Sequence, residues 1–185
     1  MMDSVLQALN QKMDKTIKDL MQKLAKIRTG RASAGLLDEI KVNYYGQMTP
    51  IKQMSNITIP DPRLIIIHPY DPSSLKEVEK AILNSDLGLN PQNDGKVIRV
   101  PIPELTEERR KELVKVVHKV AEEHRVAIRQ ERKDGVEKLR QMQKDKQITE
   151  DDLHKGQDKI QKKIDETIKK IDELAQKKEK EVIEV

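Results

Sequence analysis

Cysteine is absent from all 185 residues, which excludes disulfides, thiolate nucleophiles and Cys-ligated zinc. A reducing compartment is the matching expectation. Tryptophan and phenylalanine are absent too, leaving three tyrosines as the only aromatic residues. Any core must then be built from Ile, Leu, Val and Met, which suits long helices that bury a narrow stripe. The same shortage argues against stacking single-stranded bases on aromatic platforms. Long apolar runs are missing as well: the longest is Leu64 to Ile67, far short of the roughly 20 residues of a membrane span. The opening Met1-Met2-Asp3-Ser4-Val5-Leu6 starts an amphipathic pattern directly, without the basic and apolar regions of a targeting peptide. A cytoplasmic protein with no membrane association is expected.

What is present is charge. Lys and Arg number 36 against 32 Asp and Glu, a mixed surface whose mild basic excess permits RNA binding without establishing it. The length allows one or two modest cores and no large enzyme fold.

Leu6, Leu9, Met13, Ile17, Leu20, Leu24 and Ile27 recur at spacings of three and four, which predicts a first helix over residues 2–29. Gly30 stands where a left-handed residue would end it, with Arg28 placed to complement the helix dipole. All eight prolines fall between Arg31 and Pro103, and there the helical period disappears. Strands are expected at 40–45, 54–59, 64–68 (buried on both faces) and 96–100. A helix should start at Asp71-Pro72-Ser73-Ser74 and bury Leu75, Val78, Ala81 and Ile82, and Asn93-Asp94-Gly95 is a turn.

After Pro103, Thr106 can cap a second long helix, with Glu107 and Glu108 in its first turn. Its stripe of Leu113, Val117, Val120, Ile128 and Met142 runs to about Lys146, interrupted by His124, Glu131 and Gly135. Thr149-Glu150-Asp151-Asp152 resembles a capping box with Asp in place of Glu, opening a third helix that carries Leu153, Ile160, Ile164, Ile168, Ile171, Leu174 and Val182. Three single-striped helices must cover one another. The expected fold is therefore α+β: a long antiparallel three-helix bundle from residues 1–30 and 105–185, with a small β/α/β domain, 31–104, inserted. The connections, Thr29, Gly30 and Arg31 with Pro103, Glu104 and Leu105, make a plausible hinge. The helices after Pro103 would each be ~55 Å long.

Catalytic chemistry finds little footing. His68, His118, His124 and His154 lack metal-ligand spacing and read as scattered helix-surface residues. Gly30 to Gly35 lacks the ending of a phosphate loop, and Asp151-Asp152 and Glu122-Glu123 fit helix starts and solvated faces. No enzyme activity, metal or cofactor is expected. Arg125, Arg129 and Arg132 project within about 60° of one another, flanked by Lys133 and Arg140, and should face solvent. Two readings stand: a solvated face partnered by Glu122 and Glu131, or contact with the phosphates of folded RNA, for which guanidinium is suited. Arg28 and Arg31 divide equally between dipole partners and RNA contacts.

The run Lys26-Ile27-Arg28-Thr29-Gly30-Arg31-Ala32-Ser33, followed by Val42-Asn43-Tyr44-Tyr45-Gly46, resembles the ribosome recycling factor family. Pro101-Ile102-Pro103-Glu104-Leu105-Thr106-Glu107-Glu108-Arg109-Arg110, the pair Arg129 and Arg132, and Ile148-Thr149-Glu150-Asp151-Asp152 extend the resemblance across the chain. It implies an L-shaped monomer whose inserted domain swings about the two linkers. It implies a non-enzymatic factor that binds the post-termination 70S ribosome, chiefly through large-subunit ribosomal RNA. With elongation factor G and GTP hydrolysis by that partner, such a factor separates the subunits and releases mRNA and deacylated tRNA. The RNA contacts implied are Arg132, Arg129, Arg110 and Arg28, with Arg31, Lys133 and Arg125 beside them. A coiled-coil adaptor or chaperone-like protein is the alternative from a different functional class.

Overall fold

The computed structural model describes residues 2–184. The chain forms two compact units, one of residues 2–27 with 108–184 and the other of residues 28–107.

The helical unit consists of α1 (Met2–Ala25), α4 (Glu107–Lys144) and α5 (Glu150–Ile183). Leu9, Met13, Ile17, Leu20 and Leu24 of α1 are buried against Val117, Ala121, Ile128 and Leu139 of α4 and Ile160, Ile164, Ile171 and Ala175 of α5. Side-chain pairs fix the directions. His124 and Glu131 of α4 meet Asp19 and Thr16 of α1, so those helices run antiparallel. Gly156 and Thr167 of α5 face Met2 and Met13 of α1, so α5 runs parallel to α1. The turn between α4 and α5 is closed by the Gln147 amide donating to the Met142 carbonyl at 2.9 Å. Thr149 then caps α5 in a full capping box with Asp152 at N3, the pattern expected from the sequence.

Two expectations for the helices need correction. α1 ends at Ala25, short of residue 29, where the Ile27 amide tightens the last turn by donating to the Leu24 carbonyl at 3.1 Å. The hydrophobic period outlasts the helix because Ile27 still packs on the bundle core from the turn. Gly30 has a φ of 74° but lies in the connection, not at a helix end. The second correction concerns α4: His124 and Gly135 lie on its buried face with Leu113, Val117, Ala121, Ile128 and Leu139, and do not interrupt it. A Cβ at Gly135 would stand 3.0 Å from Leu9 Cδ2, so the bare backbone is what lets α1 approach.

The second unit holds a hairpin and a sheet. β1 (Lys41–Tyr44) pairs antiparallel with β2 (Gln47–Pro50) through a two-residue turn, Tyr45-Gly46, in which both residues have positive φ, as a type I′ turn demands. A single helical turn, α2 (Ile51–Met54), leads to β3 (Ser55–Asp61) and β4 (Leu64–Pro69). α3 (Leu75–Leu83) follows a 3-10 turn whose N-cap, Asp71, accepts from the Ser73 amide. β5 (Gln92–Asn93) and β6 (Ile98–Pro101) complete an antiparallel sheet of order β3-β4-β6-β5. Its core joins Ile65 and Ile67 of β4, Ile98 and Val100 of β6, and Leu75, Val78 and Ile82 of α3. β4 alternates, burying Ile65, Ile67 and Pro69 and leaving Leu64 and Ile66 half-buried. It is not buried on both faces, since the apolar run has one helical layer to cover it.

Candidate nucleic-acid interface

The cations of α4 are placed by the register of α4 against α5. Arg125 is not solvent-facing as its position on the stripe predicts: its side chain is 20% exposed and pairs with Asp172 of α5 at 2.7 Å. A second bond, at 3.2 Å, runs to Glu122. Burial works against the Arg125 charge, but the bonds from Asp172 and Glu122 outweigh it and raise its pKa. Arg129, 57% exposed, donates to the other oxygen of Glu122 at 3.1 Å. The bonds from Arg125 and then Arg129 hold the Glu122 carboxyl below its ordinary value.

Arg132 differs. It is exposed, and its Nε donates to Gln161 Oε1 on α5 at 2.8 Å. Among the described residues no carboxylate pairs with it. Lys133 beside it is exposed, and Arg110, near the start of α4, donates to the Ile183 carbonyl at 3.4 Å. This face therefore carries a graded set of cations. Arg125 is committed to structure, Arg129 shares one exposed carboxylate, and the charge of Arg132 is uncancelled. Such an arrangement suits phosphate, which takes guanidinium contacts edge-on.

The remaining sequence candidates belong to the other unit. Arg28 is not a dipole partner for α1; its Nη2 donates to the Leu87 carbonyl. Gly30 is buried, Thr29 half-buried and Arg31 exposed. The Ala32 amide donates to the Pro62 carbonyl at 2.6 Å, the Ile102 amide to the Arg63 carbonyl at 2.8 Å, and Glu104 pairs with Arg63. Thr29, Gly30, Arg31, Pro103, Glu104 and Leu105 line, with Leu36, Leu87 and Leu89, a cavity of about 70 Å³ in this unit. Both connecting strands are thus fastened to the sheet unit, which pulls residues 28–32 away from the helical path.

His124 is a correction to the surface reading of the histidines. It is 5% exposed, with Nε2 2.8 Å from Asp19 Oδ2 and Nδ1 2.6 Å from the Val120 carbonyl oxygen. The bond from His124, and then that from Lys23, lowers the Asp19 pKa. Nearby, Glu131 Oε1 accepts from Thr16 at 2.8 Å. Among the described residues Oε2 has no partner, and burial raises the Glu131 pKa. These groups form a polar seam between α1 and α4. Among the described residues no cluster of three or more His, Asp or Glu could hold a metal ion, and no helix is long and apolar enough to cross a membrane.

Gln161, Asp165 and Asp172 escaped the sequence reading. Their role depends on the register of α5 against α4, which only the turn between those helices fixes.

The family model described as "Ribosome recycling factor" matches residues 20–183. Curated relatives named ribosome-recycling factor include one from Alkaliphilus oremlandii, 56% identical with 96% of each chain covered. Another, from Bacillus thuringiensis strain Al Hakam, is 52% identical with 98% of each covered. A solution structure of the ribosome recycling factor superposes with a TM-score of 0.79 at 38% identity, covering 100% of this chain and 98% of that one. A second, with a TM-score of 0.66 at 44% identity and 98% of each chain covered, is described as models for the T. thermophilus ribosome recycling factor and the E. coli elongation factor G bound to the E. coli post-termination complex. A family model spanning most of the sequence, and relatives matched end to end on both sides, settle its membership: the chain belongs to the ribosome recycling factor family.

Proposed function

We propose that this chain binds the post-termination ribosome and, together with elongation factor G, promotes dissociation of the subunits and release of mRNA and deacylated tRNA. GTP hydrolysis belongs to the partner; the chain acts by binding and by changing the relation of its two units about a hinge formed by Thr29, Gly30 and Arg31 with Pro103, Glu104 and Leu105. It works as a monomer in the cytoplasm. The α4 face meets phosphates of large-subunit ribosomal RNA, with Arg132 as the principal contact, Lys133 and Arg129 beside it, and Arg110 and Arg31 as further contacts. Arg125 and Arg28, both engaged internally, hold structure. The observation that carries this reading is the exposed Arg132 guanidinium, which no acid of the described chain pairs with. A family relative in a post-termination assembly with elongation factor G supports the choice of partners.

The test follows post-termination complexes by sedimentation, with the protein alone, with elongation factor G and GTP, or with a non-hydrolysable analogue. Separation of subunits only with both proteins and GTP is the expected result. Absence of both separation and co-sedimentation would overturn it in favour of an adaptor that binds other proteins.

A further inference from the structure

The three arginines of the α4 face are held by different chemistry. Arg125 and Arg129 are bonded by carboxylates, which orient a guanidinium and cancel its charge together. Arg132 is bonded by an amide: its Nε donates to Gln161 Oε1 at 2.8 Å, and Gln161 Nε2 donates to Asp165 Oδ1, one turn along α5, at 2.8 Å. Asp165 can only accept, so it draws the NH2 group of the amide to itself and leaves the carbonyl oxygen facing Arg132. A flipped amide would set donor against donor at Arg132 and acceptor against acceptor at Asp165. Among the described residues the two terminal nitrogens of Arg132 have no partner.

We infer that Gln161 is the positioning residue for Arg132, a neutral acceptor that fixes the guanidinium through Nε and leaves its full charge and its two terminal nitrogens to a phosphate. This rests on the reading of the α4 face as an RNA contact. A free exposed arginine must give up rotamer freedom when it binds, a cost of the order of a three- to tenfold loss in affinity. The bond from α5 removes part of that cost beforehand. A carboxylate at position 161 would orient Arg132 equally well and neutralise it, so a neutral side chain is the informative choice.

The experiment measures binding of the full-length protein to isolated large ribosomal subunits across a KCl series, for wild type, Arg132→Ala, Gln161→Glu and Gln161→Ala. Circular dichroism checks that each exposed-site variant keeps its helicity. Arg132→Ala should weaken binding and reduce the slope of log affinity against log salt by about one, the loss of one phosphate contact. Gln161→Glu should reproduce that slope change and weaken binding at least tenfold. Gln161→Ala should weaken binding on the order of three- to tenfold with the slope unchanged, because the cation remains and only its orientation is lost. A role for Gln161 in helix stability alone would move neither slope. If Arg132→Ala binds as wild type does, the RNA-contact reading fails and takes the inference with it. If Arg132→Ala is impaired and both Gln161 variants match wild type, the reading stands and the inference is overturned.

Discussion

His124 of α4 lies 2.8 Å from Asp19 of α1 through Nε2, while its Nδ1 faces the Val120 carbonyl oxygen of its own helix at 2.6 Å. The ring thus bridges the seam between the two helices. Removing it takes a buried ring out of the seam and deprives Asp19 of its main bond. His124→Ala is expected to lose about 2–4 kcal/mol of stability in urea unfolding, the sum of a cavity and a charged hydrogen bond. A loss below about 0.5 kcal/mol would show the seam to be tolerant of the change.

The same bond predicts a pH effect with a definite sign. Because the folded Asp19 carboxyl sits below its ordinary value, the native state binds fewer protons than the unfolded chain near pH 4, and stability falls as acid is added. Asp19→Asn should flatten the acid limb of a stability profile below about pH 4. An unchanged limb would assign it to other carboxylates.

Glu131 works in the opposite direction. Burial raises its pKa, so in the window above the ordinary glutamate value the folded state holds the proton more tightly than the unfolded one. Its contribution to stability is greatest at low pH and is lost as pH rises through the folded value. Glu131→Gln, which mimics the protonated side chain, should be more stable than wild type at pH 7 and equal to it near pH 4. Thermal melts at the two pH values measure the difference.

Gly156 of α5 faces Leu139, whose Cδ1 would be 2.7 Å from an added Cβ, with Met2 Sδ at 3.1 Å. Gly156→Ala must displace the tip of Leu139 but gains about 1 kcal/mol of helix propensity, so it should come out near neutral. Gly156→Leu has no room and should cost about 1–3 kcal/mol. The spread between the two urea midpoints reports how tightly α5 is seated.

Thr149→Ala removes the acceptor for the Asp152 amide at the start of a 34-residue helix. About 1 kcal/mol should be lost. Thr149→Ser, which keeps the oxygen, should restore most of it.

What was legible in the sequence follows from where local chemistry decides. Period, caps and turn residues act within a few positions. The α4 and α5 stripes, the Thr149 box, the Asp71 cap and the Asn93-Asp94-Gly95 turn were therefore readable. The early end of α1 was not, because it is set by bonds from residues 28–32 to Leu87 and Pro62, far away along the chain. β2 and the α2 turn were hidden because Gly46 alone marked the hairpin tip, while Tyr45 beside it adopts positive φ without being glycine. His124 looked like a break in the stripe because its partner, Asp19, lies 105 residues away. In the candidate site the arginine face was visible from helical spacing alone. That Arg125 is spent on Asp172, and Arg132 held by Gln161, emerged only once the α4–α5 turn fixed the antiparallel register.

The insertion of one unit into the other also has a meaning in time. Residues 28–107 are continuous, so the sheet unit has all its partners as soon as it has been translated. α1 does not: Leu9, Met13, Ile17, Leu20 and Leu24 wait for α4 and, last of all, for α5. At ~5–20 residues per second, the interval is on the order of ten seconds. During it, a nascent chain carries α1 with its apolar stripe uncovered. A chain truncated before α5 would keep that stripe uncovered for good.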